Sequence, residues 1–186
     1  MTEITDRYRR LADGFTSRVA AVPPDDPRWE SPSPCEGWSA RDVVKHLIDA
    51  HDMFFGLIEH KVPAPSPVED GPLAAWAETR DAMVAALEDP GVASTEYEGF
   101  FGVSRWDHSV DRFITGDVLI HTWDLSRGLG VDDTLPGDEV EKFRAAAEGF
   151  GDAARQPGVF GPEVAAPPDA TEQEKLLAFL GRDPRA

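Results

Sequence analysis

Apolar residues recur at helical spacing in several long segments of the chain. The first segment covers residues 3–21, where apolar side chains return every three or four positions and so share one helix face. The same periodicity predicts further helices at about 40–60, 71–88, 107–128 and 136–155, with a short last helix in TEQEKLLAFLG. Because no series of alternating strands accompanies them, the sequence predicts an all-α fold: a four-helix bundle with long crossover connections and additional C-terminal helices.

The connection before the second helix is too rich in proline for a helix or a central strand. It reads VPPDDPRWESPSPCEGW, and we expect an extended loop anchored by Trp29 and Trp38. Ser39 then provides a helix N-cap, and Asp42 three residues later resembles the second half of a capping box. Residues 91–106, rich in glycine and aromatic residues, leave two alternatives open: a long crossover or a short hairpin.

The length of 186 residues fits one domain, and we predict a single bundle over residues 1–186. A C-terminal extension, about 156–186, is expected to pack on it. Bundles of this size often form homodimers, so a homodimer is a possible assembly.

The charge balance narrows the choice of partners. Lys and Arg number 18 against 35 Asp and Glu, giving a net charge of −17. Nucleic acids and anionic membranes would repel such a surface, so we expect neither as a partner. The polar N-terminus does not resemble a signal peptide, and no apolar run is long enough to span a membrane, so a cytoplasmic protein is predicted. Cys35 is the single cysteine, which excludes an internal disulfide; we interpret it as a small packed residue, with a reactive thiol as the alternative.

Candidate chemistry lies in the run GDVLIHTWDL of the fourth predicted helix. Asp117 and His121 are four residues apart and therefore lie on one helix face. His46 lies on an apolar stripe of the second helix. A carboxylate on an apolar stripe is costly to bury without a partner, and a metal ion held between the two helices would supply one. Imidazole and carboxylate donors suit Zn²⁺, Ni²⁺, Fe²⁺ or Mn²⁺, and three protein ligands leave a coordination position open for catalysis.

Structural roles for the same residues remain open on sequence alone. Asp117 could be a first-turn acid of a helix that starts just before it. His121 could be a buried histidine bonded to a backbone carbonyl. Asp124 could pair with Arg127 or cap a neighbouring loop. His51, on the buried side of the second helix, is interpreted as a core histidine.

Three motifs resemble a known family: SPSPCEGWSARDVVKHL, GDVLIHTWDLSRGLG and the closing VFGPEVAAPPDATEQEKLLAFLGRDP. In combination they are similar to the DinB/YfiT-like superfamily of metal-binding four-helix bundles. The closer resemblance is to the branch that contains the N-terminal domain of mycothiol-dependent maleylpyruvate isomerase and many uncharacterised actinobacterial proteins. The resemblance covers nearly the whole chain.

The resemblance implies a ligand set. In the superfamily a metal is held by a histidine on the second helix and by two residues one turn apart on a later helix, which match His46, Asp117 and His121 here. The isomerase has glutamate at the position of Asp117. Because aspartate is one methylene shorter, the resemblance leaves open whether Asp117 ligates the metal directly or through a water molecule.

The resemblance also implies a function. It suggests a metal-dependent isomerase or transferase that uses a low-molecular-weight thiol, mycothiol, as cosubstrate and acts on a small electrophile, with zinc or nickel as the expected ion. The alternatives are a non-catalytic metal-binding or stress-related bundle protein, and a structural module in which the polar residues are only a buried network.

Overall fold

The structure, a computed structural model, describes residues 2–99, 102–149, 151 and 160–185. The chain forms two compact units, Met1–Asp133 and Thr134–Ala186. The prediction of one domain with a packed C-terminal extension stays a prediction.

The first unit is built mainly from helices, which confirms the all-α fold. Its helices are α1 Glu3–Ala20, α2 Ala40–Gly56, α3 Pro72–Glu88, the short α4 Pro90–Ala93 and α5 Trp106–Ser109, and α6 Thr115–Leu129. Helix α1 packs against α3 and α6, and α2 packs against the same two helices, so the four long helices form a bundle. Its fully buried side chains include Phe15, Phe55, Trp76 and Trp123.

Helices α2 and α6 run antiparallel, which brings the middle of each against the other. Near the end of α6, Gly128 is so close to Ala40, at the start of α2, that a Cβ added to the glycine would lie 3.1 Å from the Ala40 Cβ. At the opposite end, the rings of Phe54 and Phe113 lie 6.3 Å apart. His46 on α2 is thereby placed opposite the first two turns of α6.

The predicted start of α2 is confirmed. The Ser39 side chain accepts from the backbone N–H of Asp42, and the Asp42 carboxylate accepts from the backbone N–H of Ser39. The loop before it contains a 3₁₀ turn, Pro27–Glu30, and the fully buried Trp29. A backbone bridge between Pro32 and Ser39 folds the loop back on itself. Helix α2 ends at Gly56, a turn earlier than expected.

Residues 91–106, for which the sequence leaves a long crossover or a short hairpin open, contain a hairpin. Strand β1, Glu96–Gly99, pairs antiparallel with β2, Gly102–Arg105, so that Glu96 faces Arg105 and Gly99 faces Gly102. Residues 100 and 101, at its tip, lie outside the described residues.

The fourth predicted helix is not a single α-helix. After α5, residues Val110–Ile114 form a π-helical turn that leads into α6. The carbonyl of Val110 accepts both the backbone N–H and, at 3.2 Å, the hydroxyl of Thr115, and these contacts stabilise the wider turn. Helix α6 ends at Leu129 and is capped by Gly130, whose φ of 65° is left-handed, and the N–H of Val131 bonds back to Ser126 in a Schellman arrangement.

The second unit contains α7, Gly137–Glu148, and α8, Glu172–Phe179. Helix α7 ends before the predicted residue 155, and positions 150 and 152–159 lie outside the described residues. An ion pair of 2.6 Å joins Arg144 on α7 to Glu172 on α8. Within the described ranges of both units, no helix combines the length and the apolar composition needed to cross a membrane.

Candidate metal centre

The carboxylate of Asp117 lies between two imidazole rings. Its Oδ2 is 3.1 Å from Nε2 of His46, and its Oδ1 is 3.3 Å from Nε2 of His121. One donor atom from each of the three residues lies within 4.8 Å of the other two. The structure therefore brings together all three side chains that the sequence singled out.

The antiparallel helices explain why these three side chains meet. Asp117 and His121 are one turn apart on α6, and His46 faces them from α2. About a third of the side chain of His46 and of Asp117 is exposed, whereas His121 is only 8% exposed. The cluster is thus closed behind His121 and open to solvent on the side of the other two residues.

Trp38 flanks both imidazoles. Its ring lies 4.8 Å from the ring of His46, and it stacks on His121 at 5.9 Å with an angle of 25° between the planes. The sequence predicted Trp38 to be a loop anchor. The structure shows that the loop before α2 forms one wall of the cluster.

The second ring nitrogen of His121 faces a different pair of residues. Nδ1 is 2.9 Å from Oδ2 of Asp124, which has no exposed surface. Among the described residues this nitrogen has no partner with hydrogen-bond geometry, so Asp124 approaches it closely but off the N–H direction. The thiol of Cys35 donates to the same oxygen at 3.4 Å. Asp124 thus contacts His121 and Cys35, two partners that the sequence pattern does not indicate.

The charges of this cluster favour a positive charge next to Asp117. Burial opposes ionisation of Asp117, yet His121 and His46 outweigh it and hold the pKa of the carboxyl well below its usual range. Burial likewise opposes a charge on His121, yet Asp117 and Asp124 hold the pKa of that imidazole well above its usual range. A metal ion could take the place of the proton that the imidazole carries.

The donor set fits a divalent transition metal. Ligand bonds of about 2.0–2.2 Å place neighbouring ligand atoms roughly 3.0–3.5 Å apart. The two nitrogen–oxygen separations given above fall in that range. Both oxygens of Asp117 reach the imidazoles although the side chain is short. The presence of two imidazoles and one carboxylate suits zinc, nickel, iron or manganese.

His51 lies apart from this cluster, in the core of the bundle. It has no exposed surface, and its Nδ1 is 2.6 Å from the carbonyl of Leu47. Its ring meets Trp76 edge to face at 5.5 Å. The interpretation of His51 as a core histidine is confirmed.

Comparison with known proteins agrees with the motifs. The model of the mycothiol maleylpyruvate isomerase N-terminal domain matches residues 8–126, a segment that contains His46, Asp117 and His121. The chain belongs to this family. The family assignment made from the sequence is therefore confirmed, and it places the protein among DinB-like, mycothiol-related bundles associated with metal binding.

Relatives of similar length extend the likeness to the second unit. The chain is 28% identical over 183 residues to the uncharacterized protein MT0763 of Mycobacterium tuberculosis strain CDC 1551, covering 96% of the chain and 97% of the relative. The same values hold for the uncharacterized protein Rv0738 of strain H37Rv. No solved structure matches the chain significantly.

Proposed function

We propose that this protein binds a divalent metal ion through His46, Asp117 and His121 and uses mycothiol, or a similar small thiol, to isomerise or conjugate a small electrophile. Zinc and nickel are the ions proposed. We propose that the protein acts in the cytoplasm, where a thiol cosubstrate is kept reduced.

One observation carries the proposal. Asp117 lies between the Nε2 atoms of two histidines from different helices, at 3.1 and 3.3 Å, with about a third of its side chain exposed. Structural metal sites are closed, whereas catalytic sites keep one position for water or substrate. A three-donor cluster that is open on one side supports the second kind.

The bound metal would lower the pKa of a coordinated thiol and so supply a thiolate nucleophile at neutral pH. The side chains of this protein would prepare the site for it. The buried His121 and the ring of Trp38 restrict water on the closed side, and the carboxylate of Asp117 balances the positive charge of the ion. The open side at His46 leaves room for the thiol and the electrophile.

The electrophile would lie beside α2, next to His46. Of the residues four and seven positions after His46 on the same helix face, Ala50 is buried and Met53 is exposed. Met53 is 59% exposed. An apolar body on the electrophile would cover this residue and contribute to its binding.

Metal binding is tested first. Protein purified without added metal is analysed for its elements, and thermal unfolding is followed with and without Zn²⁺ or Ni²⁺. A ligand present at about 100 times its dissociation constant stabilises the folded state by roughly 2.7 kcal/mol, so a tight site raises the melting temperature clearly. His46→Ala and His121→Ala should abolish the rise, whereas the exposed His108→Ala should keep it. Equal behaviour of all three variants would reject the site.

Catalysis is tested separately. The metal-loaded protein is incubated with mycothiol and a panel of electrophiles, including maleylpyruvate, and mass spectrometry is used to detect thiol conjugates or isomers. Turnover that is lost in His121→Ala supports the enzyme. Tight metal binding without turnover on any electrophile would instead support the non-catalytic metal-binding protein.

A further inference from the structure

We propose that Asp124 is the positioning residue of this centre: it holds the ring of His121 so that Nδ1 carries the proton and Nε2 is free to ligate the metal, and Cys35 holds Asp124 in place. This inference rests on the proposed function, because it assigns a role in the same metal site.

The two ring nitrogens of His121 face different carboxylates. Nε2 faces Asp117, 3.3 Å away and partly exposed, and Nδ1 faces Asp124, 2.9 Å away and fully buried. A neutral imidazole carries one proton, on either nitrogen. Carboxylates lie beside both nitrogens, but Asp124 is the nearer and is fully buried, so it favours the proton on Nδ1 and leaves the lone pair on Nε2, the nitrogen that faces Asp117 and His46.

Helix geometry makes Asp124 a suitable partner for this task. It follows His121 by three residues on α6, so both side chains are fixed by the same rigid backbone. The surrounding part of α6 is almost completely buried, which limits the orientations that either ring or carboxylate can adopt.

Cys35 gives Asp124 a hydrogen-bond donor from the loop. Its thiol donates to the same Oδ2 that faces His121, at 3.4 Å. Burying a carboxylate is costly unless donors satisfy its oxygens. The single cysteine therefore acts as a donor that reduces this cost, and the loop that carries Trp38 is linked to the back of the centre.

The same atoms suggest a competing site. Cys35, His121 and Asp124 each offer a ligand atom within 4.8 Å of the others, so a metal could be held at Nδ1 by a thiolate and a carboxylate. The full burial of Asp124 argues for the positioning role, since a catalytic metal ligand sits where one position stays open to substrate. Experiment separates the two arrangements.

Affinity is measured first, by competition between each protein and a chromophoric chelator for Zn²⁺. Loss of an outer carboxylate partner of a metal-bound histidine weakens metal binding by about 10–100-fold, and we expect Asp124→Asn to fall in this range. Ser126→Ala, a buried polar change two residues further on α6, is the matched control and should leave affinity unchanged. Circular dichroism and melting of the metal-free proteins show whether each variant is folded.

Cys35→Ser retains a donor and should bind Zn²⁺ within a few-fold of the wild type. If it weakens binding as strongly as His46→Ala does, the thiol is a ligand and the positioning role is wrong. If Asp124→Asn binds Zn²⁺ as tightly as the wild type, the role is also wrong, although the site itself stands. Failure of the wild type to bind any metal would reject the proposed function instead.

A spectroscopic measurement on the wild type does not depend on a folded variant. In the Zn²⁺-loaded protein labelled with ¹⁵N, NMR of the histidine rings should show Nδ1 of His121 protonated and Nε2 bound to metal. The opposite pattern would overturn the assignment. The pattern shows which ring nitrogen binds the metal, so it separates the centre with Asp117 from the competing site at Nδ1, while the affinity of Asp124→Asn tests the positioning role itself.

Discussion

The hydroxyl of Tyr8 donates a hydrogen bond of 2.8 Å to Nε2 of His51 in the core of the bundle. The carbonyl of Leu47 can only accept, so it fixes the proton of the neutral ring on Nδ1. Helices α1 and α2 are thus joined through a histidine that must stay uncharged. This contact has a consequence for the pH dependence of folding.

The pKa of His51 is lowered from 6.5 to about 4, chiefly because burial disfavours the charged ring. The Leu47 carbonyl and Asp117 act in the opposite direction, and His46 acts with burial. Between pH 4 and 6.5 the unfolded chain therefore binds more protons than the folded one, so stability falls as the pH falls. The contribution is complete above pH 6.5, and its loss by pH 4 amounts to roughly 3 kcal/mol.

Denaturant unfolding at pH 7 and pH 5, in the presence of a chelator, checks this prediction. His51→Gln lacks the titrating ring, so its free energy of unfolding should be lower at pH 7 but should fall less between the two pH values than that of the wild type. His60→Asn, just beyond the end of α2, is the control, and its free energy of unfolding should change with pH as that of the wild type does. An equal pH dependence in wild type and His51→Gln would contradict the assignment.

The close approach of Gly128 to Ala40 predicts a second set of effects. A Cβ at Gly128 would lie 3.1 Å from the Ala40 Cβ, whereas one at Gly14 on α1 would have no neighbour within 4 Å. In an open helix position, alanine stabilises relative to glycine by about 0.5–1 kcal/mol. Gly14→Ala should therefore raise the free energy of unfolding by that amount, and Gly128→Ala should gain less or lose stability.

A larger side chain at the same point should separate the two helices. Gly128→Val should lower the free energy of unfolding by about 1–3 kcal/mol, as expected for overpacking of a filled interface. It should also weaken Zn²⁺ binding, because His46 and Asp117 lie on the two helices that are pushed apart. Unfolding in denaturant and the chelator competition test the two effects, and a gain in stability at Gly128→Val would contradict the packing.

Local signals explain which parts of this structure could be predicted. The start of α2 follows from Ser39 and Asp42, which satisfy each other's backbone groups without help from the rest of the chain. The π turn Val110–Ile114 could not be predicted, because no residue in it excludes an ordinary α-helical turn. Its geometry depends on packing against the other helices rather than on local preference.

The candidate site also contains residues that the sequence could predict and residues that it could not. Asp117 and His121 share a helix face, so spacing alone places them together. The position of Trp38 depends on how a proline-rich loop folds back across α2 and α6, which no periodicity encodes. The contact between Cys35 and Asp124 spans 89 positions of sequence and likewise requires the tertiary fold.

Trp38 provides an optical test of the site. Because its ring lies within 6 Å of both imidazoles, a quenching ion such as Co²⁺ or Ni²⁺ bound there should reduce its fluorescence. Titration of the wild type should therefore show saturable quenching, and Trp38→Phe should lose most of it. Trp76→Phe is the control, since Trp76 packs on Phe15 and should leave the quenching in place. Quenching that survives in Trp38→Phe would place the metal elsewhere.

Asp117 could bind the metal directly or through a water molecule, and mutation separates the two modes. Both of its oxygens already lie within 3.3 Å of an imidazole nitrogen, so the short side chain reaches the centre, and direct ligation is the expected mode. Asp117→Ala should then weaken Zn²⁺ binding about as much as His46→Ala. Ligation through water would make the loss at Asp117→Ala distinctly smaller than at His46→Ala.

Substitutions of Asp117 by glutamate and by asparagine separate the effect of side-chain length from the effect of charge. Because about a third of the Asp117 side chain is exposed, the extra methylene of Asp117→Glu has room to bend toward solvent while its carboxylate returns to the imidazoles. This variant should keep Zn²⁺ affinity within about one order of magnitude of the wild type, whereas Asp117→Asn, equal in size but uncharged, should lose more. The chelator competition compares all three proteins, and equal losses in Asp117→Glu and Asp117→Asn would mean that position rather than charge governs the ligand.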